Sequence, residues 1–154
     1  MGRTFASDRE WSFGLAPERL WDRLTAVEEY DRWWPWLRHL DPDRGFVDSS
    51  LWRCVVAPPL PYVVRFTVAL EHVVPRERVE ATVDGDVRGT AQLSLRADGE
   101  GASLVRLTSD LAPANLVLRR FAMLAPALVG WGHDWVLEQG SRQFRQRALA
   151  TSRG

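Results

Sequence analysis

The hydropathy pattern changes period at Pro113, and no other feature constrains the fold as much. Up to Leu111, apolar residues alternate with polar ones in short runs, the period of half-buried strands. From Pro113 to Ala150 they recur at helical spacing instead. The first run covers residues 4–15, where Trp11, Phe13 and Leu15 alternate with Glu10, Ser12 and Gly14. Further strands are predicted at 50–56, 61–74, 78–83, 87–95 and 103–111, with breaks at Pro58-Pro59, Asp84-Gly85 and Ala97-Asp98-Gly99. On the most regular of them Tyr62, Val64, Phe66, Val68 and Leu70 share one face, and Arg65, Thr67 and Glu71 the other. Pro126 interrupts the helical stretch, so a shorter helix ending near Leu124 should precede a long one.

Residues 15–37, LAPERLWDRLTAVEEYDRWWPWL, separate the first strand from the rest. Pro17 suits a first helical turn and Glu18 the positive end of its dipole, with Leu20, Trp21 and Leu24 at helical spacing. A second short helix is predicted over 27–34, ending against Pro35. Trp33, Trp34 and Trp36 are costly to leave in water, so they mark a packed junction or the wall of an apolar cavity. Neighbours on a helix point in different directions, and not all three can face one cavity. The order of elements predicts an α+β chain: an antiparallel sheet with its helices collected on one side, in one domain spanning residues 1–154.

Composition excludes several functions. Net charge is zero, so no global field draws the chain to nucleic acid or anionic membrane. All 20 basic residues are arginine, which rules out lysine nucleophiles and Schiff bases. Cys54 is the single cysteine, so there is neither a disulfide nor a thiolate metal cluster. The opening MGRTFASDRE has no apolar h-region and no run approaches a membrane span; a cytoplasmic protein without stable membrane insertion is expected. His39, His72 and His133 fall at no metal-ligand spacing, and the chain has no phosphate loop and no G-x-S-x-G elbow. No metal and no cofactor is expected.

The order of elements resembles the helix-grip fold of the START-like (SRPBCC) superfamily, in which a curved antiparallel sheet wraps a long C-terminal helix. LAPERLWDRLTAVEEYDRWWPW resembles the family's opening pattern. LPYVVRF, DGDVRGTAQLSL and GHDWVLEQGSRQF resemble segments of its bacterial polyketide cyclase/dehydrase-like branch. The matches are scattered over residues 11–145. Two departures stand out: the first helix opens one residue short, and Gly132 replaces a residue that is usually polar, commonly asparagine. The resemblance implies a cavity between sheet and long helix, apolar in lining and sparing in polar groups.

The residues expected to line it are Trp33, Trp36, Tyr62, Phe66, Val68, Leu93 and Leu107, with Leu128, Trp131 and Trp135 from an apolar stripe on the long helix that also includes Leu124. His72, in register with the inward residues, is the candidate general acid/base, and Tyr62 could offer its phenol to a ligand carbonyl. His133 and Asp134 are adjacent on a helix and so form no ready-made dyad. Arg65 and Arg106 fall on the solvent face, and the arginines after residue 141 suit a helix C-terminus. The function expected is binding of a small hydrophobic ligand, polycyclic or polyketide-like, by a cyclase/dehydratase that works mainly by positioning. The alternative is a non-enzymatic carrier or sensor of a lipid, quinone or isoprenoid, as a monomer or weak homodimer. Polar side chains converging inside the cavity would favour catalysis; a wholly apolar lining would favour carriage.

Overall fold

The computed structural model describes residues 5–60, 62–124 and 126–148, without the side chains at 121 and 126–129. Strand β1 (Phe5–Phe13) leads into α1 (Pro17–Leu24), a 3-10 turn (Val27–Glu29) and α2 (Tyr30–Trp33). A meander follows: β2 (Leu37–Asp41), β3 (Leu51–Val56), β4 (Val64–Val74), β5 (Arg78–Gly85), β6 (Val87–Ala97) and β7 (Ser103–Pro113). Helix α3 (Leu116–Leu124) precedes α4 (Pro126–Gln143), which runs into a π-helical turn, Phe144–Ala148.

The strands lie in the order β1-β7-β6-β5-β4-β3-β2, every pair antiparallel. The first strand thus closes onto the last, with Phe5 opposite Leu111 and Phe13 opposite Ser103. The sheet curls into a half-barrel around α4, and this is the helix-grip fold.

One end of the concave face is packed solid. Leu20 of α1 and Trp33 of α2 sink into a cluster with Phe13, Trp52, Leu95 and Phe144. The Phe144 ring meets Phe13 and Trp33 edge-on at 5.4 and 5.5 Å, which ties the end of the long helix to both layers. Ser103, fully buried, donates to the Leu15 carbonyl at 2.6 Å and satisfies the chain where it leaves β1. Cys54 is buried here, and desolvation pushes its thiol up to about 12, so it is packing rather than a nucleophile.

The observed elements differ from the sequence expectation in three places. Strand β2 is additional to the predicted strands, because a shift of register between Leu37 and His39 interrupts its alternation. The second short helix is reduced to one turn after a 3-10 turn. Strand β4 begins at Val64 rather than 61, leaving Tyr62 in the proline-rich connection.

Candidate functional site

Beyond the packed end, a cavity of about 290 Å3 lies between the concave face and α4. Period-2 alternation supplies its floor: Val64, Phe66 and Val68 from β4, and Leu107, Ser109 and Leu111 from β7. Phe5, Val83 and Ala91 complete the floor from β1, β5 and β6. The opposite wall is one face of α4, with Gly132, His133, Val136 and Leu137, and Leu118 of α3 closes one side. Among the described residues, no acidic residue and no arginine lines it.

Among the described residues, three side chains bring polar atoms to this lining. The Oγ of Ser109 is buried and has no hydrogen-bond partner among the described residues. His133 is held below its ordinary pKa by burial; Asp134 opposes that shift and Arg9 adds to it. Its imidazole is therefore neutral at neutral pH, with Nδ1 3.8 Å from the Asp134 carboxylate. Tyr62 reaches α4 at Gly132, where an added Cβ would stand 2.8 Å from the phenol oxygen and 2.7 Å from Leu60 Cδ1. Glycine at 132 thus makes room for Tyr62, and burial raises the phenol's pKa, keeping it a protonated donor.

A second, more open cleft of about 720 Å3 lies outside, between Pro35, Trp36 and Arg38 on one side and Leu60, Val63 and Trp135 on the other. Pro58 and Tyr62 line both spaces, so they form the partition between cleft and cavity. At another edge, Arg9 on the inward side of β1 pairs with Asp134 at 3.1 Å and with Glu138, bridging the edge strand to α4.

The structure distributes the sequence candidates among the cavity, the outer cleft, the packed core and the exposed surface. Tyr62, Phe66, Val68 and Leu107 line the cavity. Trp36 and Trp135 line the outer cleft. Trp33, only 3% exposed, belongs to the packed core, and Leu93 packs against that core. Trp131 is 48% exposed, so its face of α4 is turned from the cavity, and Leu124, which ends α3, is 87% exposed. The side chain of Leu128 lies outside the described residues.

His72 is also outside the cavity: its side chain is 68% exposed and stands 4.0 Å from Glu80. The reason is a bulge. Register shifts between Leu70 and His72, which inserts a residue and turns the following side chain outward. The histidine that does face the cavity is His133, which is not among the lining residues expected from the sequence; Ser109 is not among them either, although the alternation of its strand puts it on the inner face with Leu107 and Leu111. The helical spacing of 132, 133, 136 and 137 carries the signal, but two tryptophans one face away dominate the apolar pattern. Among the described residues, no group of three His, Cys, Asp or Glu comes together to hold a metal, and no helix is long and apolar enough to cross a membrane.

No protein-family model and no curated protein sequence matches the chain. Solved structures do match it in fold. A START superfamily protein from Mycobacterium smegmatis superposes with a TM-score of 0.72 at 12% identity, over 95% of this chain and 98% of that one. The Zhui aromatase/cyclase from Streptomyces sp. R1128 gives 0.67 at 11% identity, over 98% and 94%. Norcoclaurine synthase from Thalictrum flavum, in complex with dopamine and hydroxybenzaldehyde, gives 0.67 at 9% identity, over 97% and 88%. At such identities the likeness is one of fold.

Proposed function

We propose that this chain, which has the helix-grip fold of the START-like superfamily, binds a small hydrophobic ligand in the cavity between its sheet and α4. The observation that carries the reading is the lining itself: a concave, overwhelmingly apolar surface with three polar side chains and no charged one among the described residues. At about 290 Å3 the space lies at the small end of ligand sites, which run from ~300 to ~1,000 Å3. Two or three fused rings suit it better than a long acyl chain. Entry runs through the outer cleft, where Trp36 and Trp135 offer aromatic surface, and past Tyr62.

His133 and Tyr62 meet on the same stretch of α4 and support chemistry of the cyclase/dehydratase type. A neutral imidazole accepts a proton from a carbon beside a carbonyl, and a protonated phenol steadies that carbonyl's oxygen. Solved structures of this fold include an aromatase/cyclase and a synthase, which accords with that reading. Carriage or sensing of the same class of ligand is the second reading, favoured by how few polar groups the lining holds.

Fluorescence titration with 1-aminoanthracene tests the binding. Saturable enhancement is expected for the wild-type chain and should disappear in Ala91→Trp, which fills the floor, with the circular dichroism unchanged. Equal enhancement in both, or none in either, would sink the reading. Native mass spectrometry of protein from its own host then separates catalysis from carriage. A carrier retains its compound unaltered on incubation, whereas a dehydratase releases one lighter by a water.

A further inference from the structure

We propose that the cavity selects an uncharged ligand carrying hydrogen-bonding oxygen at two ends, one for Ser109 on the sheet floor and one for His133 on the helix wall. The inference rests on the ligand-binding reading and narrows it to a class: small fused-ring diols or hydroxyketones.

The first observation is Ser109. Its neighbours along the same face of β7, Leu107 and Leu111, are apolar, and so is Ala91, its partner across to β6; Ser7, its partner across to β1, makes no hydrogen bond to the Oγ. A packed or empty floor would favour alanine here, because a buried hydroxyl without a partner is unfavourable. The Oγ nevertheless has no partner among the described residues. A ligand oxygen in the cavity supplies one.

The second observation is on the opposite wall. His133 is the one histidine of the chain that lines the cavity; His39 and His72 are exposed on the sheet. In its neutral form an imidazole has one donor and one acceptor nitrogen; with Nδ1 turned toward the Asp134 carboxylate, which accepts from it, Nε2 is left as the acceptor and suits a ligand hydroxyl. The phenol of Tyr62 lies one residue away along α4 and adds polarity at the same end.

The third observation concerns charge. At the seam between β1 and α4, Arg9 is paired with both Asp134 and Glu138. None of them lines the cavity. A carboxylate or ammonium inside would lose its hydration with no counter-charge to replace it. The floor and the helix wall therefore read two separated polar atoms on an uncharged skeleton.

The test compares four probes of one shape by titration calorimetry: naphthalene, 2-naphthol, 2,6-dihydroxynaphthalene and 6-hydroxy-2-naphthoate. The diol should bind about tenfold tighter than 2-naphthol, the ratio of one buried neutral hydrogen bond. The carboxylate should bind more weakly than 2-naphthol. Ser109→Ala should bring the diol and 2-naphthol within about twofold of each other while naphthalene binding stays as it was. If naphthalene binds and the diol gains nothing over it, the two-ended recognition is wrong although the cavity reading stands. Two-ended recognition is equally overturned if Ser109→Ala leaves the diol's advantage intact. If no probe binds, naphthalene included, the ligand-binding reading itself falls and takes this inference with it.

Discussion

Burial draws the His133 imidazole below its ordinary value of 6.5, against the pull of Asp134 and with the help of Arg9. In the unfolded chain the imidazole takes up its proton near pH 6.5, whereas in the folded chain it waits for a lower pH. Between the two, the unfolded state binds more protons, so stability is fully present above about 6.5 and declines as pH falls toward the folded value. Urea unfolding at pH 7.5 and 5.5 should show a loss for the wild type that is visibly smaller in His133→Gln. Equal losses in both would mean that the ring is already protonated in the fold. Gly132 makes a complementary case, because a Cβ there meets only the far ends of Leu60 and Tyr62. Gly132→Ala gains up to ~1 kcal/mol of helix propensity, which offsets the crowding, so its thermal midpoint should change little. Its affinity for 1-aminoanthracene should fall several-fold because Tyr62 is displaced; an unchanged affinity would separate Tyr62 from the binding surface. Neither effect is legible in the sequence. A glycine shows nothing of what approaches it, and Ser109 reads as an ordinary strand residue until the cavity beside it is seen.

Elements are far more legible than side chains. Alternation locates six of the seven strands, and Pro126 marks the junction between α3 and α4. Orientation fails where a local irregularity breaks the count: the bulge before His72 reverses its facing, and two tryptophans draw attention to the wrong face of α4. The Trp-rich exit of α2 shows why residue type alone does not settle such matters. Its three rings do different things. Trp33 fills the core, while Trp34 donates its indole N–H to the Gly140 carbonyl at 2.9 Å and Trp36 donates to Gln143 Oε1 at 2.8 Å. Both bonds land on the last turns of α4, and Gly140 lets the two rings lie against the helix. Trp34→Phe and Trp36→Phe should each cost about 1 kcal/mol, the worth of one such bond. Trp33→Ala should cost about 3–5 kcal/mol by leaving a cavity in the core. Chemical denaturation would read all three, and equal penalties would contradict this division between fastening and filling.

At the scale of the whole molecule, two borders of the cavity are candidates for a ligand's way in. One is the seam where β1, an edge strand, meets α4 through Arg9, Asp134 and Glu138. The other is the partition of Pro58 and Tyr62 that separates the cavity from the outer cleft. They differ in what must move. Opening the seam parts a strand from a helix, and Phe5, 3.7 Å from the position of a Cβ on Gly130, must leave with it. Opening the partition needs a Tyr62 side-chain rotation in a connection outside the strand ladder, a faster class of motion. The ion pairs at the seam are largely solvent-facing, so they contribute at most ~1 kcal/mol, and the apolar contact behind them is what keeps the seam shut. Stopped-flow mixing with 1-aminoanthracene distinguishes the routes. Tyr62→Ala joins cleft to cavity and should raise both association and dissociation rates several-fold. Arg9→Met should leave both rates nearly unchanged and lower stability by less than ~1 kcal/mol. The reverse pattern, with rates raised by Arg9→Met and indifferent to Tyr62→Ala, would place the entrance at the seam. In that case the tryptophan-lined cleft would have no part in admitting the ligand.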